Sequence, residues 1–167
     1  MTTEDFINSK QKLDLFEYFE GHTLAWGLFE DRFGRLRRQF RVEITGTVDG
    51  DTLVLDEQFL YADGEQQQRT WTIRRIAEGR YSGQAADVVG EAQGETGGNA
   101  LHWTYTMDLQ VGDRTLRVNF DDWMFLQPDG VLLNRARVSK FGLDIGTVTL
   151  AFRKSPPSLQ YDAAASQ

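Results

Sequence analysis

From residue 22 onward, apolar side chains recur at every second position. Leu24, Trp26 and Leu28 alternate with smaller residues. Phe40, Val42 and Ile44 alternate with Gln39, Arg41, Glu43 and Thr45. Leu53, Leu55, Glu57, Phe59 and Tyr61 share the next face, and Arg69, Trp71, Ile73 and Arg75 the one after. A fifth run over residues 81–89 is weakened by small residues. Leu101, Trp103, Tyr105, Met107 and Leu109 alternate cleanly, as do Leu116, Val118, Phe120, Asp122 and Met124. Two last runs cover residues 131–140 and 146–153. A period of two marks strands with one face buried.

Between the runs stand turn signals such as Asp31-Arg32-Phe33-Gly34, Asp49-Gly50-Asp51 and Gln127-Pro128-Asp129-Gly130. Glycine there supplies the left-handed backbone that tight hairpins need. Residues 90–99 form the most glycine-rich polar stretch and predict a mobile loop. Ahead of the strands, Leu15, Phe16 and Phe19 are spaced as on a helix, with Asp14 near its front and Gly21 to end it. They predict a short helix that plugs one end of the strand assembly.

About nine or ten short strands with hairpin connections and no interleaved helices predict an all-β antiparallel meander. One open sheet of that size would leave long edges, and closure into an up-and-down barrel removes them. A two-sheet sandwich is the alternative. The chain then divides into an N-terminal tail (1–12), a single barrel domain (13–154) and a flexible C-terminal tail (155–167).

Several charges fall on the apolar alternation. Glu57 sits between Leu55 and Phe59, Asp122 between Phe120 and Met124, and Asp87 between Ala85 and Val89. Arg69 and Arg75 flank Trp71 and Ile73, and Arg135 follows Leu133. Facing inward, such charges must be paired or line a wet cavity, because an isolated buried ion is prohibitively costly. The expected result is three carboxylates with at least as many arginines. The candidate ligand-binding set is therefore Glu57, Arg69, Asp87, Asp122 and Arg135, with Trp71, Trp103, Tyr105, Phe120 and Met124 as the apolar wall. An anionic head group such as a carboxylate suits the arginines. Asp121 and its neighbour Asp122 face opposite sides of a strand, and one bulge would exchange them.

Composition narrows the function classes. The 167 residues carry a formal charge of −7, which disfavours general nucleic-acid binding. Without cysteine, disulfides, thiolate metal sites and a cysteine nucleophile are excluded. The two histidines, His22 and His102, lack metal-site spacing, and His102 alternates with Thr104, Thr106 and Asp108 on what reads as an outer face. No metal site is expected. There is no GxSxG nucleophile motif and no phosphate-loop lysine. No apolar run has signal-peptide or membrane-span length, and the expected compartment is the cytoplasm. These motifs specify neither a cofactor nor an oligomeric state.

The segments FEGHTLAWGLFEDRFGRLRRQF, LDEQFLYADGEQQQRTW, YSGQAADVVGEAQGETGGNALHWTYTM and FDDWMFLQPDGVLLNRARVSKFG resemble the bacterial domain-of-unknown-function family 3833. The pairing of FDDWM with NRARVSKFG is the most specific part. Many members look like exported lipoproteins, from which this cysteine-free chain departs. The resemblance implies no activity. A calycin-like, lipocalin-like barrel is the fold expected from the strand pattern. In calycin barrels a Trp of the first strand packs beside an Arg of the last and closes the barrel's end, a role that Trp26 and Arg153 resemble.

Three functions fit this reading. One is binding of a small amphipathic or hydrophobic molecule in the barrel. A second is an isomerase- or cyclase-type enzyme with Asp122 or Glu57 as proton carrier. A third is an interaction module with a filled interior, whose basic run over residues 32–41 meets an acidic partner or a membrane surface.

Overall fold

A computed structural model describes residues 1–155 of the chain. Ten strands succeed one another in the order of the alternation: β1 (Gly21–Asp31), β2 (Leu36–Asp49), β3 (Thr52–Tyr61), β4 (Gln66–Ala77) and β5 (Arg80–Gln84). Then come β6 (Val88–Gly97), β7 (Ala100–Val111), β8 (Arg114–Leu126), β9 (Leu132–Lys140) and β10 (Leu143–Lys154). Each strand pairs antiparallel with its sequence neighbours, and β1 pairs with β10, so the sheet is a closed barrel. Closure satisfies both edges that an open sheet of ten strands would expose. The sandwich alternative is therefore set aside.

Alternate hairpins lie at opposite ends. At one end, α1 (Leu15–Phe19) seals the barrel. Its N-cap Asp14 accepts hydrogen bonds from the backbone N–H of Phe16 (3.0 Å) and Glu17 (3.1 Å), satisfying donors that a helix start leaves open. Leu15, Phe16, Tyr18 and Phe19 are buried, and Phe19 meets Phe152 edge-on at 5.6 Å. Arg75 clamps the cap from outside, with Nη2 3.3 Å from Asp14 and its guanidinium over Phe16. A core of Ile44, Leu53, Leu101, Leu132 and their neighbours lies above the helix.

Three local expectations are corrected. Residues 90–99 are no loop: most of them belong to β6. Gly94 faces the indole of Trp103 so closely that a Cβ would overlap the ring, and Gly97 lies directly against the backbone of Thr3. The glycines thus mark close approach within a strand. The run 81–89 is broken by a turn over residues 85–87, so Asp87 lies between β5 and β6. In β1 Leu24, Trp26 and Leu28 face outward, and Thr23, Ala25, Gly27 and Phe29 face in. Phe40 and Leu150 from the flanking strands already occupy the space beside Gly27.

Residues 1–12, read from the sequence as a tail, lie on the outer wall. Thr3 is buried, Phe6 packs edge-on to Phe125 at 5.2 Å, and Ser9 Oγ accepts from the Asn99 N–H at 2.9 Å. The C-terminal tail expected over 155–167 lies outside the described residues, apart from Ser155, whose N–H donates to His22 O.

Candidate ligand-binding site

Nine of the ten expected ligand-binding residues converge on one cavity of about 1240 Å³, which opens at the end opposite α1. Ligand pockets of small molecules run to roughly 300–1,000 Å³, so the space accepts a sizeable ligand. Strand parity brings these residues together. In β7 and β8, Trp103 stands opposite Asp122 and Tyr105 opposite Phe120, all directed inward. In β3 and β4, Glu57 is opposite Arg69 and Leu55 opposite Trp71. Aromatic rings form a continuous wall. Trp71 meets Trp103 edge-on at 5.6 Å and Tyr105 at 5.2 Å, and Tyr105 stacks on Phe120 at 4.8 Å. Met124 completes the lining near the core.

The charges do not pair as the sequence suggests. Arg135 is exposed on the outer wall, because β9 buries Leu132, Asn134, Ala136 and Val138. The sequence offered two adjacent leucines as parity markers, and Leu132, not Leu133, is the inward one. The cleaner alternation of Leu132, Ala136 and Val138, against a single leucine among arginines, was the available signal. It also points to Asn134, which sequence reasoning missed. Arg75 lies at the sealed end, against Asp14. Among the described residues, Arg69 is the cation deep in the cavity wall, and Arg37 and Arg38 line the mouth. The expected balance of arginines and carboxylates is thus absent.

Arg69 is already engaged. Its Nε and Nη2 donate to Asp87 at 3.1 and 2.9 Å, and Nη2 lies 3.6 Å from Met107 Sδ. That leaves Glu57 and Asp122 as carboxyls without a cation in contact. Burial pushes Glu57 up to about 7; Arg69 opposes this, and Asp87 adds to it. Burial likewise pushes Asp122 up to about 7, opposed by a hydrogen bond from Asn134. Burial among these groups also holds the Tyr105 hydroxyl well above its ordinary value. Asn134 Nδ2 donates to Asp122 and, at 3.0 Å, to Trp123 O, while its buried Oδ1 accepts no hydrogen bond. Of the arginines expected to hold an anionic head group, Arg135 is outside the cavity and Arg69 is engaged by Asp87.

Asp121, the neighbour on the opposite face, is outside and meets His102 Nε2 at 2.6 Å, with the imidazole stacked on Trp123. Trp26 and Arg153 do meet, with the guanidinium 5.6 Å from the ring centre. The pair lies on the outer face, where Trp26 remains 42% exposed. It covers the β1–β10 seam and does not close the barrel's end. Among the described residues, no group of three or more His, Asp or Glu side chains is placed to hold a metal ion, and no helix is long and apolar enough to cross a membrane.

A family model described as "Protein of unknown function (DUF3833)" matches residues 1–154. The chain belongs to this family. In fold, this DUF3833 chain is similar to the S-type phycobiliprotein lyase CPES from Guillardia theta. The TM-score is 0.59 at 8% identity, covering 93% of this chain and 99% of that one. At that identity the likeness is one of fold, and it supports the lipocalin-like architecture of the DUF3833 barrel. No curated protein matches the chain.

Proposed function

We propose that the barrel binds a small amphipathic molecule. Its apolar body lies along the wall of Trp71, Trp103, Tyr105 and Phe120, and its polar end carries a cation or N–H donors toward Glu57 and Asp122. The observation that carries this reading is the pairing of the charges that line the cavity: Asp87, Glu65 and Asp108 are bound to Arg69, Arg38 and Arg117, whereas Glu57 and Asp122 have no ion-pair partner among the described residues. A ligand cation supplies the missing counter-charge, and ligand donors satisfy the open acceptor of Asn134. A filled barrel acting only through its outer surface does not suit a cavity of this size.

A second reading has its own support. Glu57 and Asp122 both titrate near neutrality beside the cavity, the property required of a proton carrier in isomerase- or cyclase-type chemistry. A chain of the same fold is named a lyase, in keeping with chemistry inside such a barrel.

The test compares an alkylammonium, an alkyl carboxylate and the alcohol of equal chain length, read by quenching of tryptophan fluorescence. The ammonium should bind tightest, and its affinity should rise as pH increases through about 7, where Glu57 and Asp122 ionise. The double variant Glu57→Gln, Asp122→Asn should lose the preference while still binding the alcohol. Tightest binding of the carboxylate would overturn the proposed polarity. Binding of none of the three would remove the amphipathic-ligand reading.

A further inference from the structure

The open end of the barrel carries apolar side chains that no packing requirement explains. Phe33 (74% exposed) and Leu36 lie at the β1–β2 tip, Val111 at the β7–β8 tip, and Phe141 (88%) and Leu143 (66%) at the β9–β10 tip. In the closed sheet, β7 to β10 and then β1 and β2 are consecutive, so these three hairpins are neighbours around the mouth. Phe141 has φ of 52°, a left-handed conformation unfavourable for a bulky residue, and the turn holds its ring out into solvent. Scattered exposed apolar residues are ordinary, but a contiguous group around a cavity mouth marks a contact surface.

The charges on the same side are mainly basic. The Arg32 guanidinium lies 4.6 Å from the Phe33 ring centre, and the Lys140 ammonium 4.6 Å from that of Phe141. Among the described residues, no carboxylate forms an ion pair with Arg32, Arg35, Arg114 or Lys140, whereas Asp31 and Asp144 are taken up by Arg37 and Arg137. Asp113 at the β7–β8 tip and Glu30 at the end of β1 are the described acidic residues left without an ion pair on this side. Across the mouth the character reverses: Asp63 and Glu65 share one arginine at the β3–β4 tip, while Asp87 of the β5–β6 turn is taken up by Arg69. Aromatic and aliphatic tips with adjoining cations are the composition that seats in the headgroup region of an anionic bilayer.

We infer that this side of the mouth docks on an anionic lipid surface, tilting the barrel so that the cavity opens toward the bilayer. The acidic tips stay in water. The net charge of −7 belongs to the chain as a whole and sets the opposite, acidic side away from the surface. Docking stands on the rim alone and does not depend on the polarity proposed for the cavity.

The experiment is co-sedimentation of the full chain with vesicles of phosphatidylcholine alone or mixed with phosphatidylglycerol. Binding should require the anionic lipid and weaken with added salt. The double variant Phe33→Glu, Phe141→Glu should reduce it by at least about tenfold, with circular dichroism and melting temperature unchanged because both side chains are solvent-exposed. Arg32→Glu with Arg35→Glu should remove the preference for anionic lipid. Ile76→Glu, an exposed apolar position at the sealed end, should leave binding intact. Absence of binding, equal loss on Ile76→Glu, or indifference to the rim variants would overturn the assignment. So would a self-associated form that the rim variants dissociate without vesicles, since the rim would then join two copies of this chain.

Discussion

Glu57 and Asp122 put the interior's chemistry into two carboxyl groups whose proton affinity is raised by burial. In the unfolded chain such groups ionise near their ordinary values, whereas in the barrel they keep a proton up to about 7. Folding therefore takes up protons between those limits, and the contribution of these groups to stability falls as pH rises from about 4 to about 7, then levels off. Replacing Glu57 by Gln should flatten that decline. A stabilisation on the order of 2 kcal/mol is expected above neutrality, once screening by cavity water is allowed for. Below about pH 5 little change is expected. Urea unfolding at two pH values measures both. A variant whose advantage is equal at the two values would show that Glu57 is ionised throughout.

At the scale of elements, a close approach between strands and a helix cap hold the cavity's shape. The indole of Trp103 lies over Gly94 on the neighbouring strand. Gly94→Ala should force the ring aside and cost about 1–3 kcal/mol, as overpacking does, with a change in the tryptophan near-ultraviolet dichroism. The helix seal depends on a smaller term. Asp14→Ala removes the cap of α1 and should cost about 1 kcal/mol. Hydrogen exchange at Glu17 and Tyr18 should then speed up before that of the strands. Both outcomes depend on backbone groups that the sequence alone places only roughly.

For the whole molecule, the cavity is both a liability and a handle. Ligand that binds only the folded barrel should raise its stability by about 2.7 kcal/mol at a free concentration one hundred times Kd. Thermal melting with the alkylammonium probe gives this directly. The same probe should shift the melting temperature of the double variant Glu57→Gln, Asp122→Asn much less. The rim and the cavity are also separable at this scale. Vesicle binding reads the tips of three hairpins, while probe binding reads the wall they surround.

The alternation of apolar residues was enough, without tertiary information, to specify strands and hairpins, because period-two burial and hairpin turns are local; it favoured closure over a two-sheet sandwich, and the pairing of β1 with β10 decided between them. It also placed Glu57, Arg69, Trp71, Trp103, Tyr105, Phe120, Asp122 and Met124 on one interior. What it left open was parity wherever two neighbouring residues were equally apolar. Leu132 and Leu133 made Arg135 look inward, and only the pairing of β9 with β8 and β10 turned Asn134 in and Arg135 out. The glycines of residues 90–99 read as loop because close approach to Trp103 and Thr3 involves chain segments distant in sequence. For the same reason, only the folded barrel decided that Arg69 would be held by Asp87 and that two acids would lack a cation. Pairing among charges depends on which side chains meet, and that is settled by register across strands far apart in the chain.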